Sequence, residues 1–375
     1  MKSKQNIYLD NSASTKMLEN VVNAMLPYLY DEFANPSSTH TLGQRSRIAI
    51  DNAREIIANY LNSEIQEIIF TSGGTESNNI AIQGVAKALK SKGRHIIVSK
   101  IEHDSILKCV QMLEDFDITY LPVDKNGFVS PKSLKKAIRK DTILISIMHA
   151  NSEIGTIQDI RKFADIAHEG NILFHTDAIQ SIKYLDINVV DLGVDLLSFG
   201  SHKIYGPKGI GGLYIKRSTP IVPLFPGSSE YGVRGGTENV AGIVGFGKAI
   251  EILSRQRNER YKKVKILRDF FEKEIIETMK GIEINGNTSQ KLPHITNIYF
   301  PNIDTESMLI NLDMHGIYAS AGSACSSLSI EPSHVLKAIG LSSSEIKHSV
   351  RFSLSEMNTR DELIKTIDII KNIHG

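Results

Sequence analysis

Between about residues 68 and 216, short apolar runs alternate with segments whose apolar residues recur at helical spacing. The runs are Glu67–Thr71, His95–Ser99, Thr142–Met148, Ile172–Thr176, Leu196–Phe199 and Gly212–Ile215; Ser77–Lys90 and Ile160–Glu169 are two of the helical segments. Runs of this length read as buried strands, and the alternation predicts a mainly parallel α/β sheet with helices on both faces. Ligands of such sheets gather at the carboxyl ends of strands. Further on, Gly227–Gly247 is rich in glycine and polar residues and reads as a long functional loop. Ser254–Lys280 predicts a long amphipathic helix with a solvated charged face. Ile295–Phe300, a helical Ser307–Met314 and Val350–Leu354 predict a smaller α/β domain.

Composition narrows the class. The 375 residues suffice for two or three domains. With 43 Lys and Arg against 42 Asp and Glu, the net charge is +1, which gives no global field for nucleic acid. The N-terminal MKSKQNIYLDNSAS lacks the apolar core of a signal peptide, and no apolar run is long enough to span a bilayer. A cytoplasmic enzyme without membrane attachment is the expectation. Two cysteines, Cys109 and Cys325, argue against a disulfide framework or a cysteine-based zinc site, and no metal site is expected.

The candidate chemistry falls at strand ends. In Asp195–Gly209, DLLSFGSHKIYGPKG, the apolar run stops at a Gly-Ser-His-Lys turn, which places Lys203 at a strand end among small residues. Such a lysine can lose its proton and form a Schiff base with a carbonyl compound, although taken alone Lys203 reads as a surface lysine in a glycine-rich loop. EIIFTSGGTESNNIA, Glu67–Ala81, is strand, glycine turn, helix: backbone amides there suit a phosphate, and Thr75 adds a hydroxyl or an ordinary N-cap. Asp177 follows a strand and either caps a turn or holds a ring nitrogen protonated, and Gln180 lies on the same side three residues on. His103 is either structural or a flat ring able to stack or move protons. Ser320–Leu328 surrounds Cys325 with small residues, predicting a mobile exposed loop, whereas Cys109 in ILKCVQML reads as core. Arg351, inside a strand pattern, needs a carboxylate partner from the protein or a substrate.

In this order, the segments resemble the cysteine desulfurases of the NifS/IscS type, which are class-V aminotransferases among the fold-type I pyridoxal-phosphate enzymes. The likeness runs from YLDNSAST and NPSSTH through TSGGTES, Glu102-His103, SEIGTIQ, HTDAIQS, SHKIYGPKG and RGGTEN to GSACSS and RFSL. It implies a large domain over residues 15–255 built on a mainly parallel seven-stranded sheet flanked by helices. Residues 1–14 and 256–375 would form a smaller α/β domain carrying the cysteine loop. The cofactor implied is pyridoxal 5'-phosphate, with Lys203 as its Schiff-base lysine, Asp177 on the pyridine nitrogen, Gln180 on the phenolic oxygen and His103 stacked on the ring. Gly74, Thr75, Ser201 and His202 would hold the phosphate, with Thr237 reaching it from the partner subunit of a homodimer. Ser152 would stand against the cofactor, and Asn151 and Arg351 would take the substrate carboxylate. L-cysteine would become L-alanine, its sulfur passing to Cys325 as a persulfide and on to an acceptor protein in iron–sulfur assembly or a thiolation pathway. The loop around Cys325 resembles the longer form of the IscS-like branch.

Departures from the family pattern accompany the likeness. Asn151-Ser152-Glu153 stands for Asn-Asn-Glu, Gly200 begins the usual Ser-X-His-Lys, and Ser228-Ser229-Glu230-Tyr231 replaces a Gly-Gly-Gln-Glu-Arg segment, altering the expected wall of the entrance. RFSL is followed by Ser355-Glu356-Met357 instead of Gly-Arg-Tyr or Gly-Arg-Phe, and the sequence stops at Gly375, short of the extension that IscS-type members dock with. These differences suggest a specialised paralogue. A selenocysteine lyase or another C–S lyase is one rival reading, and a weakly active binding subunit of a sulfur-transfer complex is another.

Overall fold

A computed structural model describes residues 6–322 and 332–374. Its strands are β1 (Ile7–Tyr8), β2 (Ile68–Thr71), β3 (His95–Ser99), β4 (Asp117–Leu121), β5 (Thr142–Ser146), β6 (Leu173–Asp177), β7 (Leu196–Gly200), β8 (Gly211–Ile215), β9 (Glu283–Ile284), β10 (Ile295–Tyr299), β11 (Ile317–Tyr318) and β12 (Ser349–Ser353). The central sheet runs β2-β8-β7-β6-β5-β3-β4. Only β8 is antiparallel to its neighbours, so the sheet is mainly parallel and flanked by helices, the fold type I architecture.

Alternation along the strands sorts side chains to two faces. Ile97 and Ile145 pack in one apolar cluster with Phe163, Phe174 and Phe246. Ile96, Val98 and Leu144 point the other way, onto the helices Gly74–Leu89 and Asp104–Gln111. A third cluster joins the small sheet β12-β10-β9 to the later part of the helix Val240–Thr278 and to Arg360–His374.

Two expectations needed adjustment. The seventh sheet strand, β4, was not among the apolar runs, because DITYL lies at the sheet edge and is buried fully only at Leu121. The glycine-rich stretch does not stay a loop to Gly247: helix starts at Val240, capped by Asn239. Its glycines serve close packing. A Cβ on Gly247 would stand 2.8 Å from Ala53 Cβ and 2.9 Å from Ala53 Cα, in the neighbouring helix Thr41–Leu61. Gly247→Val is expected to cost about 1–3 kcal/mol through overpacking, seen as a lowered midpoint of thermal unfolding. An unchanged midpoint would show that the two helices tolerate separation.

Candidate active site

The carboxyl ends of β5, β6 and β7 meet the start of the helix Gly74–Leu89, the turn Asp10–Thr15 and β12 around one cleft. Lys203, Asp177, Gln180, His103, Gly74 and Thr75 line it, with His202, Ser152 and Arg351 on its remaining walls. Residues spread over 277 positions of sequence thus converge because strand ends are neighbours in a parallel sheet.

Lys203 lies just beyond β7, and its Nζ donates to the carbonyls of Ser12 and, at 2.7 Å, Ala13. Gln180 Nε2 also donates to the Ser12 carbonyl, at 2.9 Å. Asp177 ends β6 and is buried; its carboxylate accepts from Asn78 Nδ2 at 2.8 Å and from the Ile179 amide at 2.9 Å. Burial raises its pKa, while His103, Asn78, the Ile179 amide and Lys203 oppose that shift. His103 caps the helix Asp104–Gln111: its Nδ1 accepts the Ser105 amide at 3.1 Å. With Nδ1 an acceptor, the neutral ring carries its proton on Nε2.

Arg351 is 1% exposed. Its Nη2 pairs with Asp10 at 2.7 Å and its Nη1 donates to the Ser152 carbonyl at 3.1 Å, while the buried Nε has no partner among the described residues. The carboxylate that this strand arginine requires is therefore Asp10, with capacity left for a second acceptor. His202 beside Lys203 is pushed down to about 4, chiefly by burial and then by Lys203 and Lys208, so it is neutral at pH 7.

Other expected residues lie elsewhere. Asn151 is buried away from the cleft, with its amide committed to the turn: Oδ1 accepts from the amides of Glu153 and Ile154, and Nδ2 donates to the Ile101 carbonyl. Ser201 is fully buried, and its Oγ occupies the space where a Cβ on Gly206 would stand, 2.0 Å away. It does not replace the hydroxyl missing at Gly200, since it faces Gly206 and not the cleft. Thr237 lies in a separate pocket with Phe70, Gly209 and Arg234. Cys325 lies outside the described residues. Cys109 is core, and burial raises its thiol to about 11.

The residues missed by sequence reading act through the others. Asp10 pairs with Arg351, Asn78 holds Asp177, and Ser12 offers its carbonyl to Lys203 and Gln180. Their signal was their place in quoted motifs, Asp10 and Ser12 in YLDNSAST and Asn78 in ESNN, without any chemistry that singled them out.

Glu102, beside His103, is fully buried. Its Oε1 accepts from Ser99 at 2.5 Å and from the Met148 amide at 2.9 Å, and burial raises the carboxyl to about 8. The folded state therefore binds a proton that the unfolded state loses near pH ~4.3. Stability should fall as pH rises from there to about 8, with a slope approaching ~1.4 kcal/mol per pH unit. Glu102→Gln should flatten that dependence in thermal melts. An unaltered slope would mean that the carboxylate is ionised in the folded protein.

The cleft suits pyridoxal phosphate. The helix Gly74–Leu89 opens there with Gly73 at its N-cap and no side-chain cap among the described residues, leaving its first amides to an anion. A Cβ on Gly73 would meet no described residue within 4 Å, so the approach is open. The spare Arg351 Nε and the Asp177 carboxylate supply the cation and anion that such a group and an amino acid need.

Comparison with known proteins agrees. The family described as aminotransferase class-V matches residues 7–365. Cysteine desulfurase IscS of Dictyoglomus turgidum is 50% identical over 99% of this chain and 95% of its own. The putative cysteine desulfurase IscS 1 of Bacillus subtilis is 44% identical over 98% of this chain and 100% of its own. Among solved structures, a NifS-like protein superposes with a TM-score of 0.93 at 34% identity, covering 98% of this chain and 99% of that one. SspA in complex with cysteine gives 0.84 at 39% identity, covering 94% and 100%. With the family match running almost end to end and these relatives alike over their full length, the chain belongs to the class-V aminotransferases.

Proposed function

We propose that this protein is a pyridoxal-phosphate-dependent cysteine desulfurase, releasing alanine and passing sulfur through Cys325 to an acceptor protein. The observation that carries the reading is the convergence of an amine, a buried carboxylate, an imidazole and a buried guanidinium on one cleft: Lys203, Asp177, His103 and Arg351.

When bound, the cofactor supplies a conjugated ring that takes up the electrons released at the substrate Cα. Lys203 would anchor it and then move the Cα proton. Asp177 would hold the proton on the ring nitrogen, and the flat face of the His103 imidazole would stack against that ring. Thr75 and the first amides of its helix would bind the phosphate. Arg351 would take the substrate carboxylate while keeping Asp10. The thiolate of Cys325 would attack the substrate sulfur, the S–S bond forming as the Cβ–S bond breaks and its electron pair leaves on the carbon that takes up a proton to become the alanine methyl group.

The division at residues 15 and 255 belongs to this reading; the two main apolar clusters support it, with only Tyr184 of the larger part packed into the second, while smaller clusters join the two parts. So does a homodimer in which Thr237, exposed and outside its own chain's cleft, reaches the partner's phosphate. Among the described residues, no helix is long and apolar enough to cross a membrane.

Intact-mass analysis after addition of L-cysteine tests the proposal. The expected result is one or more sulfur atoms added to the wild type, none added to Cys325→Ala, and alanine released. Alanine release in Cys325→Ala at the wild-type rate would sink the acceptor role and favour a lyase that does not need the thiol.

A further inference from the structure

Glu356 stands in the segment that departs from the family pattern after RFSL, five residues beyond Arg351. It is buried, and four side chains converge on it. Its Oε2 accepts from the Tyr205 hydroxyl at 2.6 Å and from Tyr184 at 3.2 Å; Arg260 pairs with Oε1 at 2.9 Å, and Lys183 lies 3.7 Å away. Lys183 also donates to the Tyr205 hydroxyl at 2.7 Å.

Tyr205 is two residues past Lys203. It adopts φ +67°, an uncommon left-handed conformation for a tyrosine that persists only where surroundings impose it. Its amide donates to Thr15 Oγ1 at 2.8 Å, its carbonyl accepts from the Leu18 amide at 3.1 Å, and its hydroxyl is fixed by Lys183 and Glu356. One short path therefore joins the turn carrying Lys203 to the strand carrying Arg351. Because Glu356 and Lys183 are buried and the charges are mutually paired, the network has few alternative arrangements.

We propose that Glu356 is a positioning residue: through Tyr205 it sets the span between the Lys203 amine and the Arg351 guanidinium, which a single amino-acid substrate must bridge. This rests on the reading of the cleft as an amino-acid site.

Tyr205→Phe tests it most cleanly. The ring keeps its contacts with Lys183, whose Nζ is 4.0 Å from the ring centroid, and with Arg260, at 5.2 Å, and only the bridging hydroxyl is lost. The expected result is a fall in kcat/KM for L-cysteine of about 10–10²-fold, since small misplacements are costly in rate. Affinity for pyridoxal phosphate alone should be unchanged. In the cofactor-free protein, hydrogen–deuterium exchange should rise together in segments 202–206 and 349–355. Glu356→Gln alone leaves buried Lys183 and half-buried Arg260 without this counter-charge, so the charge-balanced pair Glu356→Gln with Lys183→Met is the second variant, with the same expected loss. Wild-type kcat/KM in Tyr205→Phe, or added exchange confined to segment 349–355, would overturn the proposal and leave Glu356 a purely stabilising group. If the wild type releases no alanine from cysteine, the functional reading fails, and the exchange result still decides whether the two segments are coupled.

Discussion

Lys203→Ala should lower alanine formation from cysteine by at least about 10²–10⁴-fold, the range lost with a positioned proton-transfer group, and more where the lysine also anchors the cofactor. The fold should survive, because Lys203 stands on the wall of the cleft and not in an apolar core, and Gln180 still donates to the Ser12 carbonyl that the amine shares. Lys203→Arg separates charge from chemistry. A guanidinium can satisfy the same carbonyls and keep the positive charge, yet it does not deprotonate and forms no Schiff base. Both variants should therefore be inactive, melt close to the wild type, and lack the visible absorbance of lysine-bound pyridoxal phosphate. A Lys203→Ala protein retaining more than about a tenth of the wild-type rate would require another residue for the proton.

The legibility of this site came from the physics of strand ends. A buried parallel strand is a short apolar run, and the residues just past that run sit at its carboxyl end in space, so Lys203, Asp177 and His103 could each be placed beside a cleft one at a time. The contacts that join them are long-range and left no local mark. Asp10 meets Arg351 across 341 residues, and Asn78 meets Asp177 across 99. Edge strand β4 hid because half-buried positions blur the apolar pattern, and the first turns of the helix Val240–Thr278 hid because glycines that permit close helix packing read locally as loop.

The departures from the family pattern have structural answers of different kinds. Ser152 meets Arg351 through its backbone carbonyl, a contact that the side chain at that position does not control. Glu230 forms no entrance wall: it is buried, paired bidentately with Arg54 at 2.7 and 2.8 Å, and accepts the Phe70 amide at 2.7 Å. Tyr231 covers the same guanidinium, 5.2 Å from its ring centroid. The changed segment thus anchors the loop onto β2, beneath the start of the helix at the cleft.

Asp177→Asn should cost about 10²–10³-fold in kcat with the fold retained, the loss expected when one preorganised electrostatic partner of the developing charge is removed. The substitution keeps shape and removes charge. One new problem arises, since an amide nitrogen would face the donating Nδ2 of Asn78. Asn78 can answer it, because its own Oδ1 is buried without a partner among the described residues, and a flip of that amide presents an acceptor to the new NH₂ and to the Ser105 hydroxyl, which now accepts from Nδ2 at 2.8 Å and can donate instead. The Ile179 amide keeps an oxygen acceptor. Thermal stability should therefore change little, while the ring nitrogen loses the carboxylate that favours its protonation. Because the ring nitrogen itself titrates, lowering the pH should restore part of the rate. No recovery in acid would show that Asp177 does more than hold that proton. A rate near that of the wild type at pH 7 would show that the carboxylate is merely a cap at the end of β6.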